Sequence, residues 1–112
     1  MPMPDGRLGH AEIKIGDSII MFADEAPEHG YLSPDTIGGT AVSLMLYVND
    51  VDAVVAQAKA AGATEIEHVS DKFYGDRLGT LKDPFGHRWM VATHIEDLTP
   101  EEIERRISKG AA

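Results

Sequence analysis

The chain has no cysteine. Disulfides, thiol nucleophiles and thiolate metal sites are therefore excluded, and the lack fits a cytoplasmic protein. Basic residues are also scarce. Ten Lys and Arg stand against 19 Asp and Glu, for a net charge of −9. Phosphate backbones repel such a chain and no basic stripe offsets this, so nucleic acid is not an expected partner. Anionic membranes are disfavoured for the same reason. No apolar run approaches the ~18 residues of a membrane span. The opening Met1-Pro2-Met3-Pro4-Asp5-Gly6 lacks a charged n-region and an apolar h-region, so it does not read as a signal peptide. The 112 residues suffice for one domain with a core and are too few for two. The acidic excess is partly local: Glu12, Asp17, Asp24, Glu25, Glu28 and Asp35 fall in the first third, as expected of a solvated surface.

Periodicity then places the elements. Residues 7–15 alternate, with Ala11, Ile13 and Ile15 on one face and Glu12 and Lys14 on the other, which predicts a half-buried strand. Gly16-Asp17 reads as a two-residue hairpin turn. Ser18 to Ala23 returns as a second strand. Residues 24–39 show no period and many turn residues, and are expected to form a loop that is either functional or a linker. Val42 to Val48 is apolar on both faces and predicts a central strand. Asn49-Asp50 offers N-cap oxygens, and Val51, Val54, Val55 and Ala58 form a helical stripe that Gly62 ends. Strands are predicted over residues 64–69, 77–82 and 87–94. In Asp83-Pro84-Phe85-Gly86, Asp, Pro and Gly occupy the positions that a type I turn favours for each. Thr99-Pro100-Glu101-Glu102 spells a helix start, with Glu102 as capping-box partner and a stop at Gly110.

These motifs, in this order, resemble the vicinal oxygen chelate superfamily of glyoxalases, bleomycin-resistance proteins and dioxygenases. The resemblance lies in Tyr47-Val48-Asn49-Asp50-Val51-Asp52-Ala53, in Ala61-Gly62-Ala63, and in Asp83 to Gly86 with the strand that follows. More narrowly, Gly9 to Ser18, Tyr74-Gly75-Asp76-Arg77 and His87 to His94 resemble the PhnB-like subfamily. The implied fold is α+β: one complete βαβββ module over residues 40–95, with a hairpin over 7–23, a linker over 24–39 and a helix over 99–109. The family builds two such modules in tandem, so the hairpin is expected to be the remnant of a first module lacking its first strand and helix.

The family's metal ligands are a His or Gln on the first strand of each module and a Glu on the last. In the complete module these positions map near Ser43 and to Met90, and in the hairpin to Ile20 or Met21. None is a normal ligand for a divalent ion, so no metal cofactor is expected. The family pattern puts Ser43, Met45 and Tyr47 on the cavity face together with Arg88, Met90, Ala92 and His94. An apolar floor rimmed by Tyr, Arg and His suits an organic ligand, an anionic one included. Ordinary packing explains the same pattern, with Met filling a core and Trp89 anchoring the helix side. His10 and His94 lie on predicted strands, either as general bases or as hydrogen-bonded structural groups. Asp76 and Arg77 pair with each other or solvent, or touch a ligand. Three functions follow: a metal-free small-molecule binder, a divalent-metal lyase or dioxygenase, or an interaction domain without a ligand. Exposed strand edges and apolar faces make a homodimer the expected assembly, with residues 7–23 available for exchange between chains.

Overall fold

The computed structural model describes residues 1–110. The chain opens with a hairpin, β1 (Ala11–Ile15) and β2 (Ser18–Phe22), in register Ile13 opposite Ile20. Gly16 takes a positive φ of 59° at the turn, where any Cβ would be strained. The predicted first strand shortens to Ala11–Ile15. Arg7 and Leu8 instead bind the loop: the Leu8 N–H donates to Asp24 Oδ2 at 2.7 Å, and Arg7 pairs with Asp5 and Glu28. His10 falls outside the strand, is exposed, and meets Glu12 at 2.8 Å.

The aperiodic stretch at residues 24–39 is less open than its turn residues imply. It holds a 3-10 turn at Pro27–His29 and a one-turn helix, α1 (Pro34–Ile37). Glu25 organises it, its Oε2 accepting from the Ser33 N–H at 2.8 Å and the Thr36 hydroxyl at 2.7 Å. These donors hold the Glu25 carboxyl below its ordinary range.

The rest is β3 (Ser43–Tyr47), α2 (Val51–Ala60), β4 (Thr64–Asp71), β5 (Asp76–Lys82), β6 (Arg88–His94) and α3 (Pro100–Ser108). The sheet order is β3-β6-β5-β4, with β3 parallel to β6 and the other pairs antiparallel. The expectation of a central Val42–Val48 strand is therefore corrected: β3 is an edge. Its two apolar faces have separate causes. Leu44 and Leu46 are half-buried, whereas Met45 and Tyr47 stand exposed on the other side.

Helix α2 covers one face of the sheet. Asp50 caps it, Oδ1 accepting from the Ala53 N–H at 3.1 Å. Val51 and Val55 pack on Leu81 and Val91, with Val48, Val54, Ala58, Ala63 and Val69 around them. Each such buried side chain contributes about 1.5–3 kcal/mol. Gly79 is bare because Val69 of β4 leans over it: a Cβ there would lie 2.7 Å from Val69 Cγ2. Thr93 fastens the junction, its Oγ1 accepting from the Val51 N–H at 2.8 Å and donating to the Val48 carbonyl at 2.9 Å.

The Asp83–Gly86 turn joins β5 to β6. Asp83 Oδ1 accepts from the Phe85 and His87 N–H groups, and Oδ2 accepts from Trp89 Nε1 at 3.0 Å. Burial opposes the Asp83 charge, but the Trp89 and backbone donors outweigh it and hold the carboxyl below its ordinary range. At the last helix Thr99 caps the Glu102 N–H at 3.2 Å as its sequence predicts. The reciprocal half of the capping box is absent, because the Glu102 carboxylate turns to Arg105 and Arg106. Among the described residues no helix is long and apolar enough to cross a membrane.

Candidate functional site

Strand register gathers the candidate residues. Ser43 lies beside Arg88, Met45 beside Met90 and Tyr47 beside Ala92. Antiparallel pairing sets Asp76 opposite His94, Leu78 opposite Ala92, Thr80 opposite Met90 and Lys82 opposite Arg88. Directly opposed residues share a face, and Val91 and Leu81 of the alternate set pack on α2. Ser43, Met45, Tyr47, Arg88, Met90 and His94 therefore share the face turned away from α2, hereafter the open face. Its floor is Leu78, Thr80 and Ala92, all buried, and its rim residues Met45 and Tyr47 are 44% and 58% exposed.

Asp76 is the residue sequence reasoning misplaced. It does not pair with Arg77, which instead bridges Asp52 and Asp71 on the α2 side at 2.8 and 2.9 Å. Asp76 begins β5, is 5% exposed, and bonds two of the candidates. Tyr47 donates to its Oδ2 at 2.7 Å, and His94 Nδ1 meets its Oδ1 at 3.0 Å. The second nitrogen of His94 meets Asp97 Oδ1 at 2.6 Å. The hydrogen bonds from Asp76 and then Asp97 push the His94 pKa above its ordinary value, and the Asp76 hydrogen bond pushes the Tyr47 hydroxyl up. With both ring nitrogens beside carboxylates, the protonated form of His94 is favoured, which weakens it as a general base. The signal that could have found Asp76 was alternation: with Leu78 and Thr80 inward, a strand extended by one residue puts Asp76 on the same face.

The remaining histidines are peripheral. His29 lies in the 3-10 turn, His68 is exposed beside Glu65, and His87 stands 3.4 Å from Asp83. The mapped ligand positions do not fit a metal. A hydroxyl at Ser43 has the Arg88 cation next to it, and Met90 offers only a thioether opposite another, Met45. Among the described residues no three His, Asp or Glu side chains converge as a metal site requires.

One cleft lies at the end of this face and another away from it. One of about 340 Å³ opens beside Tyr47, Asn49 and His94. A wider one of about 970 Å³ lies between the hairpin, the 24–39 loop and the β5–β6 turn, lined by Leu8, Phe22, Tyr31, Leu32 and Phe85 among others. Of the six candidates, only Tyr47 and His94 border either cleft. Arg7 and Glu28, which line the wider cleft, pair with each other at 2.6 Å.

A sheet in this order, crossed by one helix and preceded by a hairpin, defines a glyoxalase-like domain. The sequence profile of the Glyoxalase/Bleomycin resistance protein/Dioxygenase superfamily matches residues 2–91, and the chain belongs to that superfamily. An uncharacterized Mycobacterium bovis protein, Mb0911c, is 37% identical over 111 residues, covering 96% of this chain and 73% of that one. An uncharacterized Mycobacterium tuberculosis protein, Rv0887c, is equally similar, and the chain spans 65% of its length. Among solved structures, TioX from Micromonospora sp. ML1 superposes with a TM-score of 0.59 at 28% identity, covering 77% of this chain and 68% of that one. PA1353 from Pseudomonas aeruginosa reaches 0.65 at 21% identity, over 86% and 71%, and shows the fold alone.

Proposed function

We propose that this protein is a small-molecule binder of the glyoxalase/bleomycin-resistance type that holds an organic ligand on its open face without a divalent metal. One observation carries this reading. Exposed Met45 and Tyr47 stand over a buried floor of Leu78 and Ala92, flanked by Arg88 at one end and the Tyr47–Asp76–His94 network at the other. An apolar surface with a few fixed polar groups is what an organic ligand needs. We assign the chain to the PhnB-like subfamily on the motifs Gly9–Ser18 and Tyr74–Arg77, and to the cytoplasm on its lack of cysteine. Screening organic compounds by thermal shift tests the proposal, since a ligand that binds only the folded state raises the melting temperature. Hits should lose their effect in Met45→Asp, which puts a negative charge on the apolar part of the face, with the unliganded melting temperature falling only slightly because Met45 is exposed. Hits that keep their full shift in Met45→Asp would move the site elsewhere, the 970 Å³ cleft first.

The competing reading is a metal-dependent lyase or dioxygenase. With Ser43 and Met90 at the ligand positions, protein purified without added metal should carry far less than one equivalent of zinc, nickel, iron or manganese. Elemental analysis finding about one equivalent that survives chelator dialysis would reinstate the enzyme.

A further inference from the structure

Lys82 and Arg88 are directly opposed on β5 and β6 and share the open face. Like charges so placed repel, and side chains in such pairs sit about 4.5–5.5 Å apart at Cβ. A chain with net charge −9 has carboxylates enough to neutralise them, and among the described residues six of its eight other Lys and Arg side chains are used that way, Lys14 and Lys109 being the exceptions. Arg7, Lys59, Lys72, Arg77, Arg105 and Arg106 all reach carboxylates. Among the described residues neither Lys82 nor Arg88 has such a partner. Their face neighbours are hydroxyls and thioethers: Ser43 beside Arg88, Thr64 opposite Lys82, and Met90 and Thr80 one row further. A carboxylate does lie on that side, Glu67 opposite Thr80, but it is committed to Lys72. Buried Asp76 is at the far end of the face, six residues along β5, about 20 Å at strand rise.

Resting on the open-face reading above, we infer that Lys82 and Arg88 form the anion-binding end of the site, and that its ligand class is an apolar organic acid. The acid group takes the paired cations, with the Ser43 hydroxyl as a further donor. The hydrocarbon or aromatic body lies along Met90, Met45 and Leu78 toward Tyr47. The Arg88 guanidinium offers a two-pronged fit to a carboxylate and Lys82 a point charge. A bound anion removes the cross-strand repulsion, so the two cations are more favourable together with the ligand than without it.

The test uses decanoate against its neutral counterpart decanol, by isothermal titration at low salt, on the wild type, Arg88→Gln, Lys82→Gln and the double variant. Circular dichroism checks that each variant is folded. Decanoate should bind the wild type about a hundredfold tighter than decanol, with affinity falling as salt rises. Each single variant should lose about tenfold for decanoate and the double variant should bind the two probes alike, at the cost of a charged hydrogen bond per step. Decanol affinity should be unchanged throughout. Equal binding of both probes to the wild type, or decanoate binding indifferent to both substitutions, overturns the anionic end and leaves the open-face site standing. Binding of neither probe overturns the inference, whereas the Met45→Asp screen judges the site itself.

Discussion

In solution the protein should have twice the 12.1 kDa chain mass. Its shape supplies the argument. The Cα radius of gyration is 17.4 Å and the chain extends 57 Å by 26 Å by 24 Å, whereas a compact chain of this length has a radius near 13 Å. The excess is the hairpin, which packs on no other strand or helix beyond glancing contact. An isolated two-stranded hairpin is marginal in water. This one also exposes Ile13, Ile19, Met21 and Phe22, at 40% to 66%. The sheet of the module has matching deficits: an exposed β3 edge bearing Met45 and Tyr47, and an open face with no helix on it. A second copy related by two-fold symmetry can satisfy both, each hairpin lying along the other chain's β3 edge and closing the open face into a cavity with room for a ligand. The expected variant is Ile13→Glu with Phe22→Glu, two residues on one hairpin face. It should shift the mass at about 10 μM from dimer to monomer while α2 and its sheet retain their helical and strand signals. A wild-type monomer mass by light scattering at that concentration would end the idea. Exchange itself is decided by isotope-filtered nuclear Overhauser contacts in mixed-label dimers: contacts between hairpin methyls and Met45 on the β3 edge should cross between chains, and purely intrachain ones would reject exchange.

The module was legible because its signals are local. Asp50, Thr99 and Gly86 act on neighbours within four residues, so the caps and the turn stand where the sequence placed them. The heavy apolar stripe Val51-Val54-Val55-Ala58 likewise needs no tertiary information to mark a helix. The edge position of β3 was not legible. A strand apolar on both faces reads as buried on both, and nothing in Val42–Val48 tells whether its outer face meets its own chain, a ligand or a second copy. The order inside residues 24–39 was missed for a different reason. It rests on Glu25 reaching eight and eleven residues ahead to Ser33 and Thr36, which no periodicity reports.

At the candidate site, alternation alone put Ser43, Met45 and Tyr47 on one face and Arg88, Met90 and His94 on one face. Whether the two faces coincide depends on parallel register between β3 and β6, which lie more than 40 residues apart in sequence. The family resemblance supplied that register and the structure has it. The sequence leaves Asp76 in a loop and does not single out Lys82, because their significance is purely cross-strand. Each matters through the residue opposite it, His94 and Arg88, and through nothing adjacent in the chain.

Asp76→Asn should lower the His94 pKa and flatten the pH dependence of stability above neutrality. In the wild type, Asp76 and then Asp97 raise the His94 pKa above its ordinary value. A group whose folded pKa exceeds its unfolded one binds its proton more tightly in the native state. Its stabilisation is therefore complete below the unfolded value, near 6.5. It is lost as pH rises from there through the raised folded value. Wild-type stability should thus decline over that window more than in His94→Gln, which has nothing to titrate. The effect is modest, because the His94 side chain is half exposed at 52% and Asp97 almost wholly so. Asparagine keeps an oxygen for one partner but removes the charge that favours imidazolium, so the pKa falls while the fold persists. The Tyr47 hydroxyl loses its carboxylate acceptor in the same variant, and its pKa should come down as well, since the Asp76 hydrogen bond is the first cause of its rise. Proton–carbon correlation spectra of the His94 ring across pH 5 to 9 give the first shift, and ultraviolet titration of the tyrosines gives the second. An unchanged His94 pKa in Asp76→Asn would mean that Asp97 alone raises it, and the Tyr47–Asp76–His94 network would then be three neighbours rather than a coupled unit.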